Sequence, residues 1–189
     1  MKFRLPLPKR WAKKCLSAGA VPTVVMVQPG QIYVTTRDEL ITTILGSCVA
    51  VCIRDRFTGV GGMNHFLLPE QRAGICQSEP DRLGRYGHFA MQQLIDDLIH
   101  AGGHYDHFEC KLFGGCSVLQ VDSQIGRDNI QFAREYLQAK NLVIQSESTG
   151  HLQPLKIRYR PATGQVQVKK LGLDHSFNHQ SGHQALIDR

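Results

Sequence analysis

Residues 48–54, CVAVCIR, alternate without a break: Val49, Val51 and Ile53 point one way, Cys48, Ala50 and Cys52 the other. Both rows are apolar or small, which predicts a strand covered on both faces. The turn DRFTG follows, and VGGMNHFLL predicts a second strand that Pro69 ends. Before them the globular pattern begins near QIYVTT. After them, residues 70–86 are polar and read as a loop, and from Gly87 the period changes. Met91, Leu94, Ile95, Leu98 and Ile99 recur at helical spacing, with Gly102-Gly103 as the stop. FECKLFGG places Phe108, Cys110 and Leu112 on one side of another strand, closed by Gly114-Gly115. RDNIQFAREYLQAKN puts Ile130, Ala133 and Leu137 on one helical stripe, and Asp128 in the first turn suits the helix dipole. LVIQSES predicts a short strand, and LKIRYR-PATG-QVQVKKL a hairpin turned by Pro161 and Gly164.

The predicted order is three strands, a helix, a strand, a helix and further strands. That is an α+β domain with mixed β-sheets packed together and about two main helices flanking them, not a regular βαβ repeat. Residues 1–28 read as a basic, flexible extension, 29–172 as the single folded domain, and 173–189 as a polar, histidine-containing tail. No internal repeat stands out, and neither GGCS nor GVGG has the context of a phosphate loop.

Charge sharpens this division. Of the 22 lysines and arginines, Lys2, Arg4, Lys9, Arg10, Lys13 and Lys14 fall in the first fourteen residues without an acid among them. The remaining 16 basic residues balance the 16 acidic ones, so the body of the chain is formally neutral. A nucleic-acid binder carries its basic patch on the folded domain, so that partner class is set aside. The arm is expected to be a solvated tail, with contact to anionic lipid or an acidic partner as the functional alternative. No apolar run approaches the ~20 residues of a membrane span. Pro22 and the QPGQ stretch argue against a secretory leader, so the expected location is the cytoplasm.

The six cysteines contain no Cys-x-x-Cys pair and are expected to be reduced, most of them as small buried hydrophobes. Cys48 is the candidate exception. Gly46 lets the backbone bend just before it, and main-chain amides around Gly46 and Ser47 are candidates to stabilise an oxyanion. His65 lies seventeen residues on, across a turn. If the two strands pair, the imidazole comes close to the thiol and can take its proton, then return it to a leaving amine. The alternative is that both are core residues of a hairpin. A third group has to orient the ring, and Thr42, Thr43, Ser47 and Asn64 are all near in sequence.

The pattern T-x-x-L-G-S-C-V-A-V…G-G-M-x-H-F-L-L-P resembles the CheD family, the chemoreceptor glutamine deamidases of bacterial chemotaxis. The likeness continues through YG…AMQQLIDDLIHAGG, KLFGG, IGRDNIQFAREYL and YRPATGQVQVKKL, about residues 30–172. The resemblance implies a cysteine-hydrolase-like domain with a Cys-His-Thr triad: Cys48 as nucleophile, His65 as base and acid, and Thr42 as the third member, Thr43 being its chemically equal neighbour. It implies hydrolysis of receptor glutamine side chains to glutamate through a thioester, and hydrolysis of glutamate methyl esters by the same intermediate, with no metal or organic cofactor. It implies chemotaxis receptors as substrate and a CheC-type phosphatase as a further partner; apart from the resemblance, membrane contact is expected only indirectly, through the receptors or the basic N-terminal arm. Cys116 stands where the family often has a smaller residue, and Cys52 is expected as core filler or as a resolving thiol under oxidation.

Two other readings use the same residues. His100, His104 and His107, and again His175, His179 and His183, have ligand-like spacing, but glycines and turn formers interrupt both sets, so no metal site is expected. A non-catalytic adaptor that binds receptor or phosphatase helices needs the scaffold and not the thiol.

Overall fold

The computed structural model describes residues 22–67, 86–117 and 123–172. Among the described residues, nine strands form two mixed sheets. The four-stranded sheet has the order β1 (Val24–Met26), β3 (Leu40–Leu45), β8 (Leu155–Arg160), β9 (Gln165–Lys170). The five-stranded sheet has the order β2 (Ile32–Thr35), β5 (Gly61–Asn64), β4 (Val49–Asp55), β6 (Phe108–Gly114), β7 (Ile144–Thr149). Pairings are antiparallel except β1 with β3 and β6 with β7. The helices are α1 (Gly87–His100) and α2 (Ser123–Ala139). This is the expected α+β architecture.

Strand β4 explains the layering. Every residue from Val49 to Ile53 is fully buried, because the strand is covered twice. Val49, Val51 and Ile53 share a core with Ala90, Met91, Leu94 and Leu98 of α1 and Ala133 and Leu137 of α2. Ala50 and Cys52 share another with Ile41 and Leu45 of β3 and Leu155, Ile157 and Tyr159 of β8. The layers are therefore helices, five-stranded sheet and four-stranded sheet. The glycines of β5 permit this closeness: a Cβ on Gly62 would sit 2.5 Å from the Tyr33 carbonyl oxygen and 3.0 Å from Leu94.

Both helical stripes lie where their spacing places them, except that Ile99 is exposed at the rim. Two strands escape the alternation rule. In β3 the row Ile41, Thr43, Leu45 faces the other sheet and the row Leu40, Thr42, Ile44 faces away, so threonine and aliphatic residues occur in both and no period of two shows. Strand β1 lies inside the segment expected to be an extension, yet Val24–Met26 pairs with Leu40–Thr42, so the folded chain reaches back at least that far. The expected loop at 70–86 lies outside the described residues except for Tyr86, the basic arm at 1–14 lies wholly outside them, and so does the tail beyond Gly172.

Candidate active site

The segment Gly46-Ser47-Cys48 carries the chain from β3 in one sheet to β4 in the other. Its three carbonyls all face protein donors. The Gly46 carbonyl accepts from the Cys116 amide at 2.7 Å, and the Cys48 carbonyl from the Gly115 amide at 2.7 Å. The Ser47 carbonyl accepts from Asn129 Nδ2 at 3.0 Å. The amides of the same three residues find no acceptor among the described residues beyond the Cys48 sulfur, which the Cys48 N–H faces. A bend with its carbonyls turned in and its amides left over is the arrangement an oxyanion needs. It depends on Gly114 and Gly115, whose φ angles are +102° and +61°. A Cβ on Gly114 would collide with the Cys48 carbonyl oxygen, and one on Gly115 with Ile130.

His65 follows β5 and is almost fully buried. Its backbone is fixed by a bond from its N–H to the Gln31 carbonyl, 3.0 Å, and one from the Gly30 N–H to its own carbonyl, 2.7 Å. Its ring meets Thr43: Oγ1 is 2.9 Å from His65 Nδ1 and 2.7 Å from the Val27 carbonyl oxygen. A carbonyl only accepts, so the single hydroxyl hydrogen goes to Val27, and towards the ring the threonine must accept. This network assigns the ring proton to Nδ1 and leaves the Nε2 lone pair free. Nε2 is buried and has no hydrogen-bond partner among the described residues.

Cys48 lies on the same sheet face. Val49 and Phe66 form a bridge of two bonds, 3.0 and 3.1 Å, in register with the Cys52–Met63 pair. That register sets Ala50 opposite His65 and puts Cys48 diagonally across from it, on the face that packs against the four-stranded sheet. Burial pushes the Cys48 thiol up from its ordinary value, although its own amide N–H opposes this. Burial likewise pushes His65 down to about 4, against the Val27 carbonyl. Both groups are therefore neutral at pH 7, a thiol beside an imidazole rather than a thiolate–imidazolium pair. Of the four cysteines described, Cys48 alone has solvent access; Cys52, Cys110 and Cys116 are buried.

The family model described as CheD chemotactic sensory transduction matches residues 67–170, more than half of the chain. The chain belongs to the CheD family. It is 44% identical over 165 residues to a protein of Paraburkholderia xenovorans, covering 86% of this chain and 66% of that one. It is 42% identical over 154 residues to one of Hydrogenovibrio crunogenus, covering 82% and 81%, and 48% identical over 147 residues to one of Janthinobacterium sp., covering 77% and 72%. All three are named "Probable chemoreceptor glutamine deamidase CheD". The family match starts just after His65, but a stretch spanning 86% of this chain cannot miss residues 42–65.

In this CheD chain the structure sets Thr43 against the His65 ring, puts Cys48 diagonally across on the same face of the sheet, and turns Thr42 away. The Thr42 hydroxyl donates to the Ile157 carbonyl at 2.7 Å, within its own sheet. The reason is the period of a strand: neighbouring residues face opposite sides, so only one of two adjacent threonines can reach the ring. Asn64 also faces away, accepting from the Val51 amide at 2.9 Å and donating to the Ala90 carbonyl at 3.1 Å on the helix side. Cys52, four residues along one strand from Cys48, is about 13 Å away at ~3.3 Å per residue, too far for a disulfide. His107 Nδ1 lies 3.5 Å from Asp55, whose carboxylate also accepts the amides of His104, Phe57 and Thr58 in a turn-stabilising cluster. His175, His179 and His183 lie outside the described residues. Two further residues contribute to the site. Val27 acts through a carbonyl, which has no sequence signature. Asn129 did have one: it is a polar residue on the buried stripe of α2, between Gly126 and Ala133.

Proposed function

We propose that this chain hydrolyses glutamine side chains of chemoreceptors to glutamate, with Cys48 as nucleophile, His65 as proton carrier and Thr43, rather than Thr42, as the residue that orients the ring. One observation carries the reading: a buried imidazole whose Nδ1–H is engaged by Thr43 offers an Nε2 that has no partner among the described residues, on the face where the one accessible thiol of those residues lies.

The steps follow from two neutral groups. As the Cys48 sulfur bonds to the carboxamide carbon, its proton passes to His65 Nε2, and the carbonyl π electrons move to oxygen. The amides of Gly46, Ser47 and Cys48 face that developing oxyanion. His65 Nε2–H then protonates the nitrogen, the C–N bond breaks, ammonia leaves and a thioester remains. A water gives its proton to Nε2 as its oxygen bonds to the thioester carbon. The C–S bond breaks, the sulfur regains the proton, and glutamate is released. Throughout, Thr43 keeps the ring turned so that Nε2 faces the sulfur, as the third member of a triad does. Esters share the acyl intermediate, so glutamate methyl esters are a second substrate, with methanol leaving in place of ammonia. The reaction takes place in the cytoplasm; among the described residues no helix is long and apolar enough to cross a membrane. A CheC-type phosphatase is the further partner, and the arm at residues 1–14 adds affinity for anionic membrane near the receptors.

Co-expression of a receptor with the wild type or with Cys48→Ala, read by mass spectrometry of receptor peptides, tests the activity. Glutamine-to-glutamate conversion with wild type and none with the variant is expected. Equal conversion, or binding without conversion by both, would leave an adaptor in place of an enzyme. Vesicle pull-down of the full chain against one lacking residues 1–21, at several salt concentrations, tests the arm.

A further inference from the structure

Past the Cys52–Met63 pair the ladder between the nucleophile strand and the base strand becomes thin. At Asn64 the Val51 amide bonds a side chain instead of a backbone carbonyl, and only the Val49–Phe66 bridge remains beyond it. Two carbonyls are left at the open end, Ser47 beside the nucleophile and Leu67 two residues after the base. Both converge on one amide nitrogen. Asn129 Nδ2 is 3.0 Å from the Ser47 oxygen and 2.9 Å from the Leu67 oxygen, which uses both of its hydrogens. The residue is fully buried on α2, and flipping its amide would set an oxygen against two carbonyls, so this orientation is fixed. Its Oδ1 meanwhile is buried with no partner among the described residues. A side chain chosen for stability alone would not keep an acceptor unsatisfied; this one keeps it while its donors tie two segments.

We propose that Asn129 is a positioning residue: a side-chain rung that replaces the missing end of the ladder and holds the Cys48 segment in register with the His65 segment. It touches neither reacting atom. Helix α2 thereby reports on the spacing of thiol and imidazole through its Asn129 turn, and a change that moves that turn alters reactivity without contacting the site. The turnover consequence rests on the deamidase reading; the geometric one does not.

The test compares wild type with Asn129→Asp, which keeps the shape and removes the donors, and Asn129→Ser, which keeps one donor. Leu137→Ala, at the far end of α2, is a destabilised control. Each is checked for folding by circular dichroism and assayed well below its melting temperature. The readouts are kcat and KM for receptor deamidation, and the pH profile of Cys48 alkylation by iodoacetamide. Misplacement of reacting groups by about 1 Å can cost on the order of 100-fold. Asn129→Asp is expected to lose about 10- to 100-fold in kcat with KM within about threefold, Asn129→Ser to fall between, and both to shift the alkylation profile, while Leu137→Ala keeps both readouts. If Asn129→Asp does not fold, Asn129→Ser decides alone. Folded Asn129 variants with wild-type kcat and wild-type alkylation overturn the proposal. A wild type that fails to deamidate sinks the activity reading instead, and the alkylation profile still decides on the rung.

Discussion

Replacing Thr43 by valine removes one hydroxyl and almost no volume, so it isolates the role of that oxygen. In the native site the oxygen satisfies two buried groups, the His65 Nδ1–H at 2.9 Å and the Val27 carbonyl at 2.7 Å. Each partner left unsatisfied costs about 1–3 kcal/mol, so a stability loss of about 2–6 kcal/mol is the range if both stay unpaired. The imidazole has an escape: moving its proton to Nε2 leaves at Nδ1 a lone pair that asks for no acceptor. That tautomer has no lone pair at Nε2, the nitrogen proposed to take the Cys48 proton. Losing a bond with a net value of about 1–1.5 kcal/mol in favour of the active tautomer lowers the rate about tenfold. Looser ring orientation adds up to another factor of about ten, within the range seen for misplaced catalytic groups. The expectation for Thr43→Val is thus a kcat about 10- to 100-fold lower at nearly unchanged KM, restored largely by Thr43→Ser. Thr42→Val removes a bond to the Ile157 carbonyl within the four-stranded sheet, so it costs about 1 kcal/mol of stability and leaves kcat within about twofold. Ammonia release from a purified receptor fragment, with urea unfolding on the same samples, measures both quantities. If Thr42→Val loses the turnover and Thr43→Val keeps it, the placement of the triad's third member is refuted.

The neutral thiol predicts that iodoacetamide alkylation of Cys48 is slow at pH 7 and climbs past pH 9, the ordinary thiol value, without the low-pH plateau of an ion pair; such a plateau between pH 4 and 7 would contradict it. Stability carries the His65 signature. The folded ring takes a proton only near pH 4 and the unfolded ring at 6.5, so the unfolded state binds more protons in between. Stability is complete above 6.5 and falls as the pH drops towards 4, by about 3 kcal/mol at ~1.36 kcal/mol per pH unit, and urea titrations of wild type against His65→Gln should show that slope only in the wild type. Asp55 acts lower: burial alone would raise it, but the amides of His104, Phe57 and Thr58 carry it down to about 2, so Asp55→Asn should cost stability at neutral pH and much less below pH 2. Gly114→Ala places a methyl against the Cys48 carbonyl in a backbone conformation that favours glycine, and should cost about 2–4 kcal/mol and most of the turnover.

The parts of this fold legible in the sequence are those where one face is uniformly apolar. The double alternation of 48–54 announced a strand covered twice, and the stripes of both helices announced the layer on one side of it. Strand β3 stayed hidden because Thr42 and Thr43 put hydroxyls on both faces, one bonded inside its sheet and the other against the His65 ring. The same pair of threonines was undecidable from spacing, since strand phase comes from pairing partners far along the chain: Thr43 opposes Ile157, and that register turns its side chain inward. A count of residues back from the cysteine carries no such information. Val27 is invisible for a plainer reason, because any residue offers a carbonyl.

The origin of each group explains why His65 is held more tightly than Cys48. His65 is pinned by the backbone of residues 30 and 31, by β3 through Thr43, and by the β1 side through Val27. Cys48 sits on a three-residue bend attached through its carbonyls, with its sulfur partly exposed. Because neither group is charged at rest, burial costs little, whereas a buried ion pair would carry a desolvation penalty at both groups. The proton then moves only when a carbonyl carbon arrives to take the sulfur's electrons. Such a site should react with an acyl group seated against the bend far faster than with a freely diffusing alkylating agent of equal intrinsic reactivity. Comparing inactivation by chloroacetamide with that by a receptor peptide bearing a chloromethyl ketone in place of the glutamine amide measures the difference. A peptide reagent gaining no more over chloroacetamide at Cys48 than at an exposed model thiol would show that the bend contributes no such activation.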